Sequence, residues 1–249
     1  MKNLTLVSLV SVSVSLFLAA CNKEQKINKS ADPICLISKT ENRNGYFTNY
    51  QYDSLGRIIK YGDNELVYLN NVVKFNSKTE LYLDNKGDVS ESKFFDQYPI
   101  SEDFITQEGH TLFKYNPEGF LISAIATTTL ISSFASNAKQ EIIDKYSYTY
   151  SDGNRTSCTL TDFRGNKTVW LYKYNLDMAN QLAPTSRKIN LKGIESRNLL
   201  SSTEQIFNGD SQGVTFYSDK FGQDGKLLSE TTSKVGFPNG ERKFYWNCN

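Results

Sequence analysis

Tyr50-Gln51-Tyr52-Asp53-Ser54-Leu55-Gly56-Arg57-Ile58 spells a β-hairpin. Tyr50 and Tyr52 alternate with the polar Gln51, so both rings fall on one face of a strand. Asp53 can accept a hydrogen bond from the backbone two residues on, and Gly56 supplies the positive φ from which a second strand starts near Ile58. The wording recurs as Tyr82-Leu83-Asp84-Asn85-Lys86-Gly87-Asp88-Val89 and as Phe113-Lys114-Tyr115-Asn116-Pro117-Glu118-Gly119-Phe120-Leu121. Tyr148 to Arg155 is a copy shortened by a residue around Gly153, and Phe221 to Leu227 is a late copy around Gly225. The first four glycines lie 31, 32 and 34 positions apart.

Such a repeat dictates an all-β architecture. Other hairpins lie between the copies. In Leu66-Val67-Tyr68-Leu69-Asn70-Asn71-Val72-Val73-Lys74-Phe75 the Asn pair suits a two-residue turn. Each period then holds about four short strands and the chain roughly twelve to sixteen, mostly of about five to eight residues, at the spacing of antiparallel proteins. The expectation is one antiparallel domain over residues 34–249, its hairpin-repeat sheet closed or strongly curved into a barrel. Residues 97–109 and 176–205 fall outside the rhythm and are expected to be short helices or loops.

Aromatic residues make up 13% of the chain, with 15 Tyr and 15 Phe, which favours pleated, half-buried surfaces over helices. The 28 basic and 27 acidic side chains nearly cancel. A chain without a basic field is a poor partner for nucleic acid or for anionic headgroups.

The N-terminus carries Lys2, an apolar run from Leu4 to Leu18, and Leu18-Ala19-Ala20-Cys21. These are the three regions of a secretory signal. The apolar run is interrupted by serines and shorter than the roughly 20 residues of a membrane-spanning helix. Its end resembles the bacterial lipobox. That resemblance implies cleavage after residue 20, a diacylglycerol on the Cys21 thiol and an acylated new N-terminus, so that Cys21 is the lipidation site and the membrane is held through the lipid. Residues 21–33 are polar, end at Pro33 and read as a flexible tether. Export leaves Cys35, Cys158 and Cys248 where disulfides persist. Either Cys35 and Cys248 close almost the whole domain into one loop, or all three remain buried thiols, since an odd count leaves at least one unpaired.

The Y-x-Y-D-x-x-G-[RK]-[IL] unit resembles the YD repeat of RHS-type proteins. Together with the lipobox it resembles an uncharacterised family of Bacteroidetes lipoproteins with a porin-like fold, whose G-x-x-S-[KR]-N-L stretch is matched by Gly193-Ile194-Glu195-Ser196-Arg197-Asn198-Leu199. The resemblance implies a barrel from about Ile34 to the C-terminus in the cell envelope, at the outer membrane. It carries no agreed activity.

Catalytic wording is thin. Gly209-Asp210-Ser211-Gln212-Gly213 fits G-x-S-x-G, but the motif needs a strand-to-helix turn and a histidine further along the chain. The chain's single histidine, His110, lies upstream ahead of a strand pattern, and Val214 to Tyr217 read as strand, so a hairpin turn is expected. One histidine and no close cysteine pair exclude the usual zinc spacings, and neither Asp84–Asp88 nor Asp219–Asp224 has the ligand order of a calcium loop. Glu102-Asp103 reads as a loop or a first helical turn. No metal, no cofactor and no enzymatic activity are expected.

Aromatic stripes remain. Tyr146, Tyr148 and Tyr150 alternate along one strand, and Trp170, Tyr172 and Tyr174 do so a strand later, on what reads as an adjoining strand. Tyr148, Tyr150, Trp170, Tyr172 and Tyr174 could form a platform for a sugar ring or a flat apolar ligand. Cross-strand core pairing is the competing assignment. The expected function is a non-catalytic, envelope-anchored module that binds a glycan, an apolar molecule or an envelope protein. A hydrolase acting on envelope glycans and a structural surface scaffold are the alternatives.

Overall fold

In an antiparallel meander, connections alternate between the two ends of the sheet, so two turns separated by an even number of strands share an end. That rule organises this molecule. The computed structural model describes residues 35–76, 78–100, 103–132, 138–182 and 195–248, and these form sixteen strands. β1 (Cys35–Asn42) leads into five short ones: β2 (Phe47–Tyr52), β3 (Ile58–Tyr61), β4 (Asn64–Leu69), β5 (Val72–Phe75) and β6 (Thr79–Leu83). Four long strands follow: β7 (Val89–Ile100), β8 (Asp103–Tyr115), β9 (Leu121–Ser132) and β10 (Ala138–Ser151). β11 (Asn154–Thr161), β12 (Lys167–Ala179), β13 (Asn198–Phe207), β14 (Asp210–Phe221), β15 (Leu227–Lys234) and β16 (Gly240–Cys248) complete the wall. Each strand pairs with its predecessor, and β1 pairs with β16, so the sheet is a closed antiparallel barrel.

The five repeat turns join β2 to β3, β6 to β7, β8 to β9, β10 to β11 and β14 to β15. An even number of strands separates them, and all five lie at the end where the chain enters and leaves the barrel. Their chemistry is local. Asp53 Oδ1 accepts the Leu55 and Arg57 N–H groups, Gly56 N–H donates to the Asp53 carbonyl, and Gly56 has φ +69°. Gly87, Gly119, Gly153 and Gly225 also have positive φ, between +73° and +91°.

Two expectations need correction. Equal spacing of the glycines does not mean equal strands: four short strands lie between Gly56 and Gly87, but two long ones lie between Gly87 and Gly119. Residues 97–100 and 103–109 are not helix or loop. They pair as the outer part of the β7–β8 hairpin, Gln97 opposite Thr106 and Tyr98 opposite Ile105. Within 176–205, Leu176–Ala179 completes β12 and Asn198–Gln205 belongs to β13, while residues 183–194 lie outside the described residues. These segments are polar, and their strand form comes from long-range partners that a local pattern does not announce.

Burial defines the inside. Ile37, Leu199, Leu227 and Phe244 form one buried cluster with Tyr50 and Trp246 packed against it. β2 and β13 are not neighbours, so their side chains meet only across the lumen. Ile58, Leu66 and Val73 form a second cluster. Three charges of the outer wall sit next to buried residues: Glu41 beside Thr40, Lys74 beside Val73, Lys243 beside Phe244. Period-two alternation therefore turns these charges outward. There they pair, Lys74 with Glu80 at 3.2 Å, Lys93 with Glu91 at 3.0 Å and Lys243 with Glu41 at 3.2 Å.

Cys35 and Cys248 stand opposite each other in the β1–β16 pair that closes the barrel, and they are disulfide-bonded with their Cα atoms 4.1 Å apart. Cys158 is a free, buried thiol whose pKa is raised by burial.

Candidate functional site

The aromatic stripe lies on the lumen face. Tyr148, Cys158, Trp170 and Gln205 stand in one row across β10 to β13, with Tyr172 opposite Thr203 in the next row. Arg155 enters among them from β11, its guanidinium 5.1 Å from the Tyr148 ring centre and 5.9 Å from that of Tyr150. Such stacking suits a cation that gives up part of its hydration. Burial raises the Tyr148 and Tyr150 pKa values and pushes that of Tyr172 up to about 12, with Cys158 the next contributor at Tyr172.

Several of these side chains already have structural partners. Tyr150 Oη donates to the Leu121 carbonyl at 2.9 Å, and Tyr174 Oη lies 2.9 Å from Ser196 Oγ. Ser196 Oγ also accepts the Arg155 N–H at 3.0 Å, and Arg197 N–H donates to the Gly153 carbonyl. Asn198 and Asn154 exchange two hydrogen bonds while both are buried. The Ser196-Arg197-Asn198-Leu199 part of the resemblance motif thus seals the β10–β11 turn to the β12–β13 connection. Gly193 and Ile194 lie outside the described residues, as does Cys21.

Ser211 is no nucleophile elbow. The turn is Asn208–Gly209, with φ +49° and +97°, and Ser211 is the second residue of β14. Its Oγ donates to Glu204 Oε1 at 2.8 Å. His110, expected ahead of a strand, lies within β8 opposite Lys93, six strands from β14 around the wall, with Nε2 3.0 Å from a Glu91 carboxylate oxygen. His110 is held against Glu91 and Ser211 against Glu204, so the histidine does not reach the serine.

What the sequence left unread is on the outside. The long strands β7–β10 rise beyond their shorter neighbours, and each of the two steps holds a cleft. At the β6–β7 step a cavity of about 540 Å³ is lined by Glu80, Lys93, Phe95, Glu108, His110 and Thr129 among others. At the β10–β11 step a cavity of about 410 Å³ is lined by Glu141, Ile143, Lys145, Asp162, Phe163 and Gly165 with Thr161. Phe95 and Phe163 are both exposed. Phe163 belongs to a further copy of the turn, Asp162-Phe163-Arg164-Gly165, in which Asp162 Oδ1 accepts the Arg164 and Asn166 N–H groups. The same wording used for Gly56 would have found it.

No family model matches the chain, and no curated protein does. Among solved structures, a porin-like protein from Bacteroides vulgatus ATCC 8482 is similar with a TM-score of 0.64 at 12% identity, covering 85% of this chain and 98% of its own. A porin-like protein from Bacteroides uniformis ATCC 8492 gives 0.54 at 15% identity with the same coverage. At these identities the likeness is one of fold: this chain has the barrel of those porin-like proteins.

Proposed function

We propose that this chain is an envelope lipoprotein, anchored through Cys21, whose barrel stands in water at the outer membrane and works as a non-catalytic binding module. The observation that carries this reading is the polarity of the wall. A barrel that spans a bilayer needs strands of about 9 to 11 residues and an apolar outer band. Here β7 to β10, β12 and β14 are 12 to 14 residues long, but β2 to β6 are only four to six, too short to span on their side of the wall, and the outer face carries the ion pairs of Lys74, Lys93 and Lys243. Each exterior lysine at a bilayer midplane would cost about 2 to 4 kcal/mol. Inside, apolar side chains pack into two buried clusters, around Ile37 and around Ile58, as they do in water-soluble proteins. The YD-like turns and the lipobox support membership of the lipoprotein family they resemble.

Of the three ligand classes, an envelope protein fits best. Tyr150 and Tyr174 in the lumen are already engaged, whereas the exterior steps are open. A glycan would use the lumen face of Tyr148, Trp170 and Tyr172. The decisive experiment purifies residues 34–249 without detergent. A monodisperse, folded product is expected, and a barrel that folds only in detergent overturns the reading. Cys21→Ser should abolish acyl labelling, and a labelled, membrane-bound variant would refute the anchor.

A further inference from the structure

The rise of β7–β10 past their neighbours leaves two strand edges open. Pairing between β6 and β7 reaches Phe94, opposite Thr79, and pairing between β10 and β11 begins at Lys145, opposite Thr161. Beyond those points Asp96–Ile100 is paired with β8, and Ala138–Asp144 with β9, and among the described residues no strand lies on their other side. An open edge presents N–H and C=O groups that template another strand. The two edges differ. Pro99, which has no N–H, and the ion pair of Lys78 Nζ with Asp96 Oδ1 at 2.5 Å blunt the edge of β7. The edge of β10, Lys139-Gln140-Glu141-Ile142-Ile143-Asp144, has no proline, and among the described residues its one constraint is the Asp144 carboxylate, which accepts the Phe163 N–H at 3.2 Å where β11 turns away.

We infer that residues 139–144 of β10 form a strand-addition site for an extended segment of a partner protein. This rests on the water-facing reading above. Strand addition takes its affinity from main-chain hydrogen bonds and its specificity from pockets for alternate side chains. Lys139, Glu141 and Ile143 are exposed on the outer face, and Ile143 lines the 410 Å³ cavity with Phe163, which is 45% exposed. Residues directly opposite on an antiparallel strand share a face. The complementary segment therefore carries an acid opposite Lys139, a base opposite Glu141 and an apolar side chain opposite Ile143, which enters the cavity. The edge lies at the end of the barrel opposite Cys35 and Cys248.

The test is hydrogen exchange on the mature full-length chain with a synthetic peptide. From its N-terminus the peptide places valine, lysine and glutamate at alternate positions separated by threonine, and a peptide of identical composition in shuffled order is the control. Those amides of 139–144 that face the open edge, and not the alternate ones that pair with β9, should exchange fast in the free chain and slow by about tenfold or more with the alternating peptide alone. The double exchange Lys139→Glu with Glu141→Lys should abolish the slowing, and a peptide with its two charges swapped should restore it. Equal slowing by both peptides, no slowing in large peptide excess, or edge amides already protected in the dilute free chain would each overturn the inference. So would protection that grows with protein concentration alone, which would identify a second copy as the occupant. The detergent requirement of the lipid-free chain does not involve this edge, so the two readings fail separately.

Discussion

Tyr115 Oη donates a 2.7 Å hydrogen bond to the carbonyl of Val89, the fully buried residue two positions beyond the turn glycine Gly87. The relation recurs around the barrel. Tyr68 Oη reaches the Ile58 carbonyl at 3.0 Å, Tyr150 Oη the Leu121 carbonyl at 2.9 Å, and Trp246 Nε1 the Leu227 carbonyl at 2.7 Å. In each case the acceptor sits two residues after a repeat glycine and is part of the core, so an aromatic donor further along the chain fastens each turn from inside. The hydroxyl of the motif's second tyrosine is thereby structural in the two copies that bind Val89 and Leu121.

Tyr115→Phe should therefore destabilise the barrel by about 1 to 2 kcal/mol, because the Val89 carbonyl loses its lumen partner. Tyr245→Phe removes a comparable bond, to Glu41 on the exposed outer wall, and should cost well under that. Urea unfolding of the two variants beside the parent decides the matter. Equal losses would mean that the internal fastening has no special weight.

Two glycines should fail for different reasons. At Gly87 an added Cβ meets nothing within 4 Å, but φ is +81°, so Gly87→Ala should cost about 1 kcal/mol of backbone strain. Gly109 has no positive φ, yet an added Cβ would fall 1.6 Å from the Phe94 ring lying across it. Gly109→Ala should cost about 1 to 3 kcal/mol through displacement of that ring. The double variant Gly109→Ala with Phe94→Ala should show non-additive losses, whereas Gly87→Ala should add simply to Phe94→Ala. Additivity in both pairs would contradict the packing.

Asp219 on β14 faces Glu230 across the β14–β15 pair, its Oδ1 is buried with no hydrogen-bond partner among the described residues, and burial followed by the Glu230 charge pushes its pKa up to about 6. A carboxyl raised above its unfolded value of 3.8 holds its proton longer in the folded state, so its contribution to stability falls as pH rises through the window from about 4 to about 6. Asp219→Asn should gain on the order of 1 kcal/mol at pH 7, after allowance for solvent screening, and nothing near pH 4. Denaturant midpoints at both pH values test this. A gap between parent and variant that does not change with pH would refute it.

Opening the Cys35–Cys248 bond frees a loop spanning 213 positions. In the chain-entropy treatment a closure of that length contributes roughly 5 kcal/mol. The paired substitution Cys35→Ser with Cys248→Ser should lower the melting temperature by ten degrees or more, taking about 2 to 4 °C per kcal/mol for a chain of this size. A melting temperature within 2 °C of the parent's would show that the β1–β16 pairing closes the barrel unaided.

The sequence alone determined whatever is local. Asp53, Ser54, Leu55 and Gly56 form their turn because the carboxylate and the positive φ act within five residues, and alternation of Tyr148 with Ser147 and Thr149 identifies one strand face with no knowledge of a partner. Hence the all-β class, the repeat and a strand range that includes the observed sixteen could be read directly. Tertiary structure decided what depends on residues far apart. Closure is the meeting of β1 with β16 across the whole chain, and the stretches Gln97–Ile100 and Asn198–Gln205, which carry no repeat turn, become strands because neighbouring strands satisfy their backbones. The step beside β10 exists because its neighbour β11 ends at Thr161, and the step beside β7 because β6 begins only at Thr79, differences in strand length. A side chain's local preference carries no information about where the adjoining strand stops, and so the clefts and the open edge are visible only in the folded barrel.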